Sequence, residues 1–266
     1  MSYPTDSRGW TRRLLAESTA LLEIGANLAL QRRLLKLVPR GDGHPVMLIP
    51  GFTASDRSTS RLRGFLNDCG YRAEGWGQGR NLGVSGDRLE QLQRRVRQLA
   101  ERHGEAVSVI GWSAGGLYAR ALGTRQPDSV RLVITMGSPF KLNEDNLHYL
   151  PEGIHRLHRR LSPASERDDA IGADCWNAPP PVPTTSLYSR ADGLAPWPFC
   201  LDHAARRCEN VHVPGSHAGM TFNPLMYYVI ADRLAQQRDH WRPFRMSPLR
   251  RAVYRQDCAS ELSAGH

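Results

Sequence analysis

Short apolar runs separated by helix-length amphipathic stretches restrict this chain's fold more than any other feature. Val46-Met47-Leu48-Ile49, Tyr71 to Trp76, Val107-Ser108-Val109-Ile110, Val130 to Met136, Ser186-Leu187-Tyr188-Ser189 and Val211-His212-Val213 read as strands. Helical patterns lie among them: Ser58 to Cys69, closed by Gly70, then Arg88 to His103, ending at Gly104, then Leu117 to Arg125 and Pro224 to Gln237. Strands separated by helices of this length call for a parallel sheet covered on both faces. The expected fold class is α/β, with a mostly parallel central sheet and helices on both faces. No internal repeat is present.

Three segments depart from the alternation. From Trp10 to Leu37 the apolar residues Leu14, Leu15, Leu21, Leu22, Ile24, Leu28 and Leu35 recur at helical spacing, so residues 1–44 read as an N-terminal helical arm. Packing on the domain edge accounts for its apolar face, and docking on a membrane surface is the alternative. The stretch Leu14 to Leu30 is interrupted by Glu17, Glu23 and Asn27 and falls short of a membrane span. After a Gly/Pro-rich break from Pro39 to Pro45 comes the core, residues 45–240. Within it, residues 141–183 are polar, histidine-rich and closed by Pro179-Pro180-Pro181-Val182-Pro183. They read as an insertion over the sheet, either a cap or lid or a long surface excursion. Residues 241–266 read as a C-terminal tail.

Length and charge narrow the function. A chain of 266 residues with 40% hydrophobic content can bury one large core. The formal net charge is +9, but the basic residues are arginines except Lys36 and Lys141, and they are scattered. Nucleic acid is excluded as a partner, because a binding groove would concentrate them with interleaved aromatics. Weak association with an anionic membrane surface is compatible with the charge. The five cysteines are odd in number and lack paired metal-ligand spacing, so they read as reduced thiols; a Cys200–Cys208 bridge would require export. Asp6 follows soon after Met1 with no uninterrupted apolar run and cleavage site, so the expected location is cytoplasmic.

The chemistry centres on Gly111-Trp112-Ser113-Ala114-Gly115. A serine nucleophile must stand clear of the backbone beside a base, and Gly-x-Ser-x-Gly between a strand and a helix provides that turn. Val107 to Ile110 precedes and Gly116 to Arg125 follows, so Ser113 reads as a nucleophile rather than an incidental serine in a glycine-rich turn.

With this motif in place the sequence resembles the α/β-hydrolase superfamily, in particular its bacterial lipase and esterase branch. The resemblance spans about Pro45 to Gln237 and implies a Ser-Asp-His order along the chain. Leu48-Ile49-Pro50-Gly51-Phe52 is similar to the family's first-strand loop, with Pro50 where a histidine is usual; the resemblance implies an oxyanion hole made by the backbone N–H groups of Phe52 and Ala114. Tyr188 to Trp197 is similar to the acid loop, which implies Asp192 as the triad acid; a plain Asp-Gly turn is the other reading. Val213-Pro214-Gly215-Ser216-His217-Ala218-Gly219-Met220 matches the loop after the last strand, which implies His217 as general base. Glu144, Asp145 and Asp202 are rival acids. His203, His212 and His240 lack the loop context, and His44 lies too early.

Other features carry less. His148, His155 and His158 stand among Arg156, Arg159 and Arg160, whose charges would repel a divalent cation, so no metal is expected. The run Gly75-x-Gly77-x-Gly79 with Gly83 opens no helix at once and reads as a flexible loop beside the site rather than a dinucleotide site. No cofactor is implied. Beside the site, Phe52, Trp112, Leu194, Trp197 and Met220 are candidate pocket residues for a small-molecule or lipid ester. The resemblance implies a carboxylic ester hydrolase working through an acyl-enzyme. An acyltransferase or thioesterase would use the same triad, and a non-catalytic binding protein of this fold is the alternative of another class.

Overall fold

Six parallel strands and one antiparallel edge strand form a single sheet in the computed structural model, which describes residues 17–161, 174–203 and 205–257. The strands are β1 (Pro45–Ile49), β2 (Arg72–Gly75), β3 (Val107–Trp112), β4 (Val130–Met136), β5 (Thr184–Tyr188), β6 (Cys208–His212) and β7 (Arg255–Gln256). Their order is β2-β1-β3-β4-β5-β6-β7, with β1 to β6 parallel and β7 antiparallel to β6. The α/β class with a mostly parallel, doubly covered sheet is therefore the one observed.

Period-two alternation divides the core into two layers. Val46 and Leu48 of β1 join one layer with α1 (Ala20–Leu37), α2 (Ser60–Asp68) and α6 (Pro224–Leu234), while Met47 and Ile49 join the other with α3 (Gly86–His103) and α4 (Gly115–Arg125). Because both faces are covered, all five residues of β1 are buried, which is why the strand reads as an unbroken apolar run. Helix α3 shows the opposite pattern. Leu89, Leu92, Val96 and Leu99 bury a single stripe, each contributing roughly 1.5–3 kcal/mol of transfer free energy. The Ser85 Oγ caps this helix by accepting from the Arg88 N–H, and Gly104 ends it in the left-handed region at φ 65°.

Helix α4 is buried on nearly every side, and Arg120 within it is fully inaccessible. Its guanidinium meets both carboxylate oxygens of the equally buried Asp202 at 2.7 Å and donates to the Ala178 carbonyl at 2.8 Å. A planar fork facing a carboxylate satisfies the donors that burial would otherwise strand.

Helix α1 packs against α6 and α2 through Leu34 and the half-buried Leu35. Leu21, Leu22 and Leu28 instead face solvent, so the helix is only thinly held by apolar contact. Leu14 and Leu15 lie outside the described residues. Among those residues no helix is long and apolar enough to cross a membrane. The insertion carries α5 (Glu152–Leu161) and a single turn at Asp174–Asn177.

Of the expected C-terminal tail, residues 241–257 pack on the core. Phe244 and Tyr254 are buried, and Arg255–Gln256 add β7 to the sheet edge. An uncovered β6 would present a row of unpaired backbone groups, and this short strand masks part of it. Cys69, Cys175, Cys200 and Cys208 are free thiols, and Cys258 lies outside the described residues.

Candidate active site

The loops leaving the carboxyl ends of β1, β3, β5 and β6 converge, as expected in an open parallel sheet whose ligands bind beyond those ends. Ser113 follows β3 directly and has φ 54°, a left-handed conformation costly for a residue with a Cβ. The turn is set by close approach: a Cβ on Gly111 would lie 2.4 Å from the Gly115 carbonyl oxygen, and one on Gly115 would lie 2.4 Å from that of Ile49. Only glycines let β1, β3 and α4 come so near. The Ser113 N–H donates to the Met136 carbonyl at 2.8 Å, fixing the turn to β4.

Asp192 and His217 meet across 25 residues of sequence. The Nδ1–H of His217 donates to Asp192 Oδ2 at 2.7 Å, with both side chains almost wholly buried. Asp192 Oδ1 accepts from the N–H groups of Leu194 and Ala195 at 2.8 and 2.6 Å, so the carboxylate is held at both oxygens. A carboxylate accepts at Nδ1, which leaves the second imidazole nitrogen, Nε2, unprotonated in the neutral ring. Burial lowers the His217 pKa, but the charge and hydrogen bond of Asp192, with a further contribution from Glu17, outweigh it and hold the group above its usual value. Trp112 packs its ring 5.7 Å from the imidazole and donates its Nε1–H to the His217 carbonyl at 3.2 Å.

Ser113 and His217 line one cavity of about 260 Å³, together with Gly51, Phe52, Trp112 and Leu194. Ile154 and Leu157 of α5 also line it, so the insertion contributes directly to the cavity. Trp197 and Met220, which the sequence places near the site, do not line it. Trp197 stacks on Tyr188 at 5.8 Å beneath the Arg190 guanidinium, and Met220 is fully buried in the core after the turn that closes on the His217 carbonyl.

The first-strand loop is braced by a residue whose part the sequence does not announce. Asn81, fully buried in the glycine-rich run after β2, donates its Nδ2–H to the Pro50 carbonyl at 2.8 Å. Its backbone accepts from the Thr53 N–H at 2.6 Å and donates to the Ala54 carbonyl at 2.9 Å. Phe52 is thus held between two anchored neighbours, and Ala114 stands at the N-terminal boundary of α4. N–H groups at such a helix start favour negative charge.

Of the rival acids, one is tied up away from His217. Asp202 is engaged by Arg120, and the side chains of Glu144 and Asp145 lie outside the described ones. His44 makes an instructive second constellation at the opposite ends of β1 and β3. It bonds Asp42, and its Nε2 lies 2.7 Å from Ser108 Oγ. Ser108 is fully buried within the strand, however, and burial with the Arg131 charge keeps the His44 pKa below its usual value despite Asp42. This order of side chains without access is a structural tie.

No family model matches the chain, and no curated protein matches it in sequence. Solved structures do resemble it. Aspergillus fumigatus lipase B superposes with a TM-score of 0.57 at 20% identity, covering 73% of this chain and 52% of that one, so the chain spans about half the length of that lipase. Bacillus licheniformis lipase BlEst2 in mature form gives a TM-score of 0.54 at 15% identity over 74% of this chain and 94% of that one. A structure of the metagenome-derived lipolytic enzymes LipS and LipT gives 0.52 at 16% identity over 74% and 93%. The sheet order, the strand-to-helix turn at Ser113 and these superpositions together identify the chain as having the α/β-hydrolase fold.

Proposed function

We propose that this protein is a serine hydrolase that cleaves carboxylic esters. Ser113 attacks the ester carbonyl as His217 Nε2 takes its proton, and Asp192 holds the imidazole and balances the imidazolium. The tetrahedral oxyanion is received by the N–H groups of Phe52 and Ala114, each worth about 3 kcal/mol by precedent. Collapse expels the alcohol with the His217 proton, and a water activated by His217 releases the acid from Ser113. The observation that carries this reading is the buried 2.7 Å Asp192–His217 bond on the same cavity as a serine at φ 54°.

The cavity also supports a substrate class. Leu150, Ile154, Leu157 and Leu194 make its walls apolar, and about 260 Å³ suits short to medium acyl chains rather than long ones. Leu150, Ile154 and Leu157 give the insertion the part of a cap over it. The test is labelling by a fluorophosphonate probe, alongside Ser113→Ala, followed by turnover of p-nitrophenyl esters of graded chain length. Labelling of the wild type alone is expected, with preference for the shorter esters. A wild type that resists the probe would refute the serine mechanism.

A further inference from the structure

The loop that carries His217 has three successive N–H groups, those of Ser216, His217 and Ala218, bonded to side chains from outside the loop. Ser216 and His217 are buried, so their N–H groups need acceptors, and here the acceptors for all three come from a segment about two hundred residues earlier. Glu17, opening the short 3-10 turn Glu17–Thr19, accepts through Oε1 from the Gly193 N–H at 2.8 Å and the His217 N–H at 2.9 Å. Its Oε2 accepts from the Ala218 N–H at 2.8 Å. Glu23, in the first turn of α1, accepts through Oε1 from the N–H and the hydroxyl of Ser216, both at 2.7 Å. Its Oε2 accepts from Asn223 Nδ2 at 3.0 Å, and that amide also donates to the Pro214 carbonyl.

The receiving loop is shaped for this carboxylate. A Cβ on Gly219 would lie 2.4 Å from the Glu23 carboxylate, and one on Gly215 would lie 2.9 Å from it. The glycines that resemble a loop signature therefore also form the slot that Glu23 enters.

We infer that Glu17 and Glu23 are positioning residues for the Asp192–His217 pair, and that the N-terminal helix belongs to the active site. The decisive contact is Glu17 Oε1, which one N–H reaches from the residue after Asp192 and another from His217 itself. A single oxygen thereby sets the spacing between the acid loop and the base loop. Hydrogen bonds to an ionised acceptor are shorter and about twice as strong as neutral ones, and both carboxylates are anchored at both oxygens. The role in catalysis rests on the ester-hydrolase reading; the role in holding the His217–Asp192 bond does not.

The test uses the full chain with Glu17→Gln, Glu23→Gln and the double substitution, and Glu90→Gln on the exposed face of α3 as control. A glutamine keeps the shape but offers an NH2 where Ala218 or Asn223 donates, so each substitution breaks at least one bond. Each single variant retains every anchor of the other carboxylate and is expected to stay folded. Turnover of p-nitrophenyl esters is expected to fall by about 10- to 100-fold in kcat, the scale of an ångström-size misplacement, with KM within about threefold and a native-like thermal transition. In parallel, the downfield proton resonance of His217 Nδ1–H should shift or broaden in the Glu17 variant and not in the control. Wild-type kcat in folded variants, or a change in thermal midpoint with kcat unaffected, would overturn the inference. Should the wild type prove inert toward esters and probe, the ester-hydrolase reading falls and the proton resonance decides: an unchanged signal in the double variant overturns the positioning role, and its loss in a folded protein upholds it.

Discussion

Replacing Asp192 by asparagine should disable the proposed reaction through a change of tautomer, with the fold left in place. Asp192 Oδ1 accepts from two N–H groups, those of Leu194 and Ala195. After the substitution the atom at that place must still accept, so it is the amide oxygen, and the NH2 is forced toward His217 Nδ1. Two donors cannot share a 2.7 Å contact, so the neutral imidazole turns acceptor at Nδ1 and carries its proton on Nε2. In the proposed reaction Nε2 receives the Ser113 hydroxyl proton, and with its own proton in place it then has no lone pair to do so. Precedent for this change in a serine triad puts the loss near 10⁴ in kcat, or about 5 kcal/mol of barrier. Every polar atom keeps a partner, so the thermal midpoint should stay within a few degrees. The assay is steady-state turnover of a short p-nitrophenyl ester with the Ser113→Ala protein as baseline. Activity within tenfold of wild type, in a folded Asp192→Asn protein, would refute the assignment of the acid.

The acidic limb of kcat/KM should lie above the usual histidine value of 6.5, because burial is outweighed by the Asp192 charge and hydrogen bond and by Glu17, and activity needs the neutral ring. Activity is then lost as pH falls through that raised value, whereas the stability contributed by the protonated ring is full below the unfolded pKa and lost as pH rises through the folded one. A limb below 6.5 in a pH–rate profile would contradict this. Ser113→Gly should abolish activity yet raise stability by about 1 kcal/mol by relieving the φ of 54°, and calorimetry should place its midpoint above that of Ser113→Ala. Arg120→Met leaves the Asp202 carboxylate buried without its partner and should cost about 3–5 kcal/mol; a denaturant titration showing less than about 1 kcal/mol would mean that the carboxylate finds another donor.

What could be read from the sequence was what is encoded locally. Strands β1, β3 and β4 are buried on both faces and so appear as apolar runs. The turn at Ser113 needs Gly111 and Gly115 close together along the chain, and the loops at Asp192 and His217 carry their own short patterns. Contacts made between distant segments left no such trace. Glu17 and Glu23 look like interruptions of an apolar helix face, and nothing in their neighbours reveals that loops near residues 193 and 217 supply donors for them. Asn81 sits in a glycine-rich run whose composition suggests looseness, although the residue is tied at side chain and backbone. Strand β7 has two residues, too few for a period. Trp197 and Met220 are near the site in sequence, but the turn after His217 and the packing on Tyr188 aim them elsewhere. Pattern reports spacing along the chain, and only backbone direction after a turn decides where a side chain ends up.

The carboxylates of Glu17 and Glu23 also set the order in which the molecule can be completed. Their bonds to Gly193, Ser216, His217 and Ala218 span 176, 193, 200 and 201 residues. A segment synthesised early must therefore wait for one synthesised much later, and closing so long a loop carries its entropy cost before any contact repays it. The early strands can pair while the chain is still emerging, yet Asp192 and His217 acquire their shared anchor only when residues 193–218 have been made and brought back to Glu17. Assembly of the proposed reactive centre is thus deferred until late in folding, and a chain that has emerged only as far as α4 contains Ser113 but neither Asp192 nor His217.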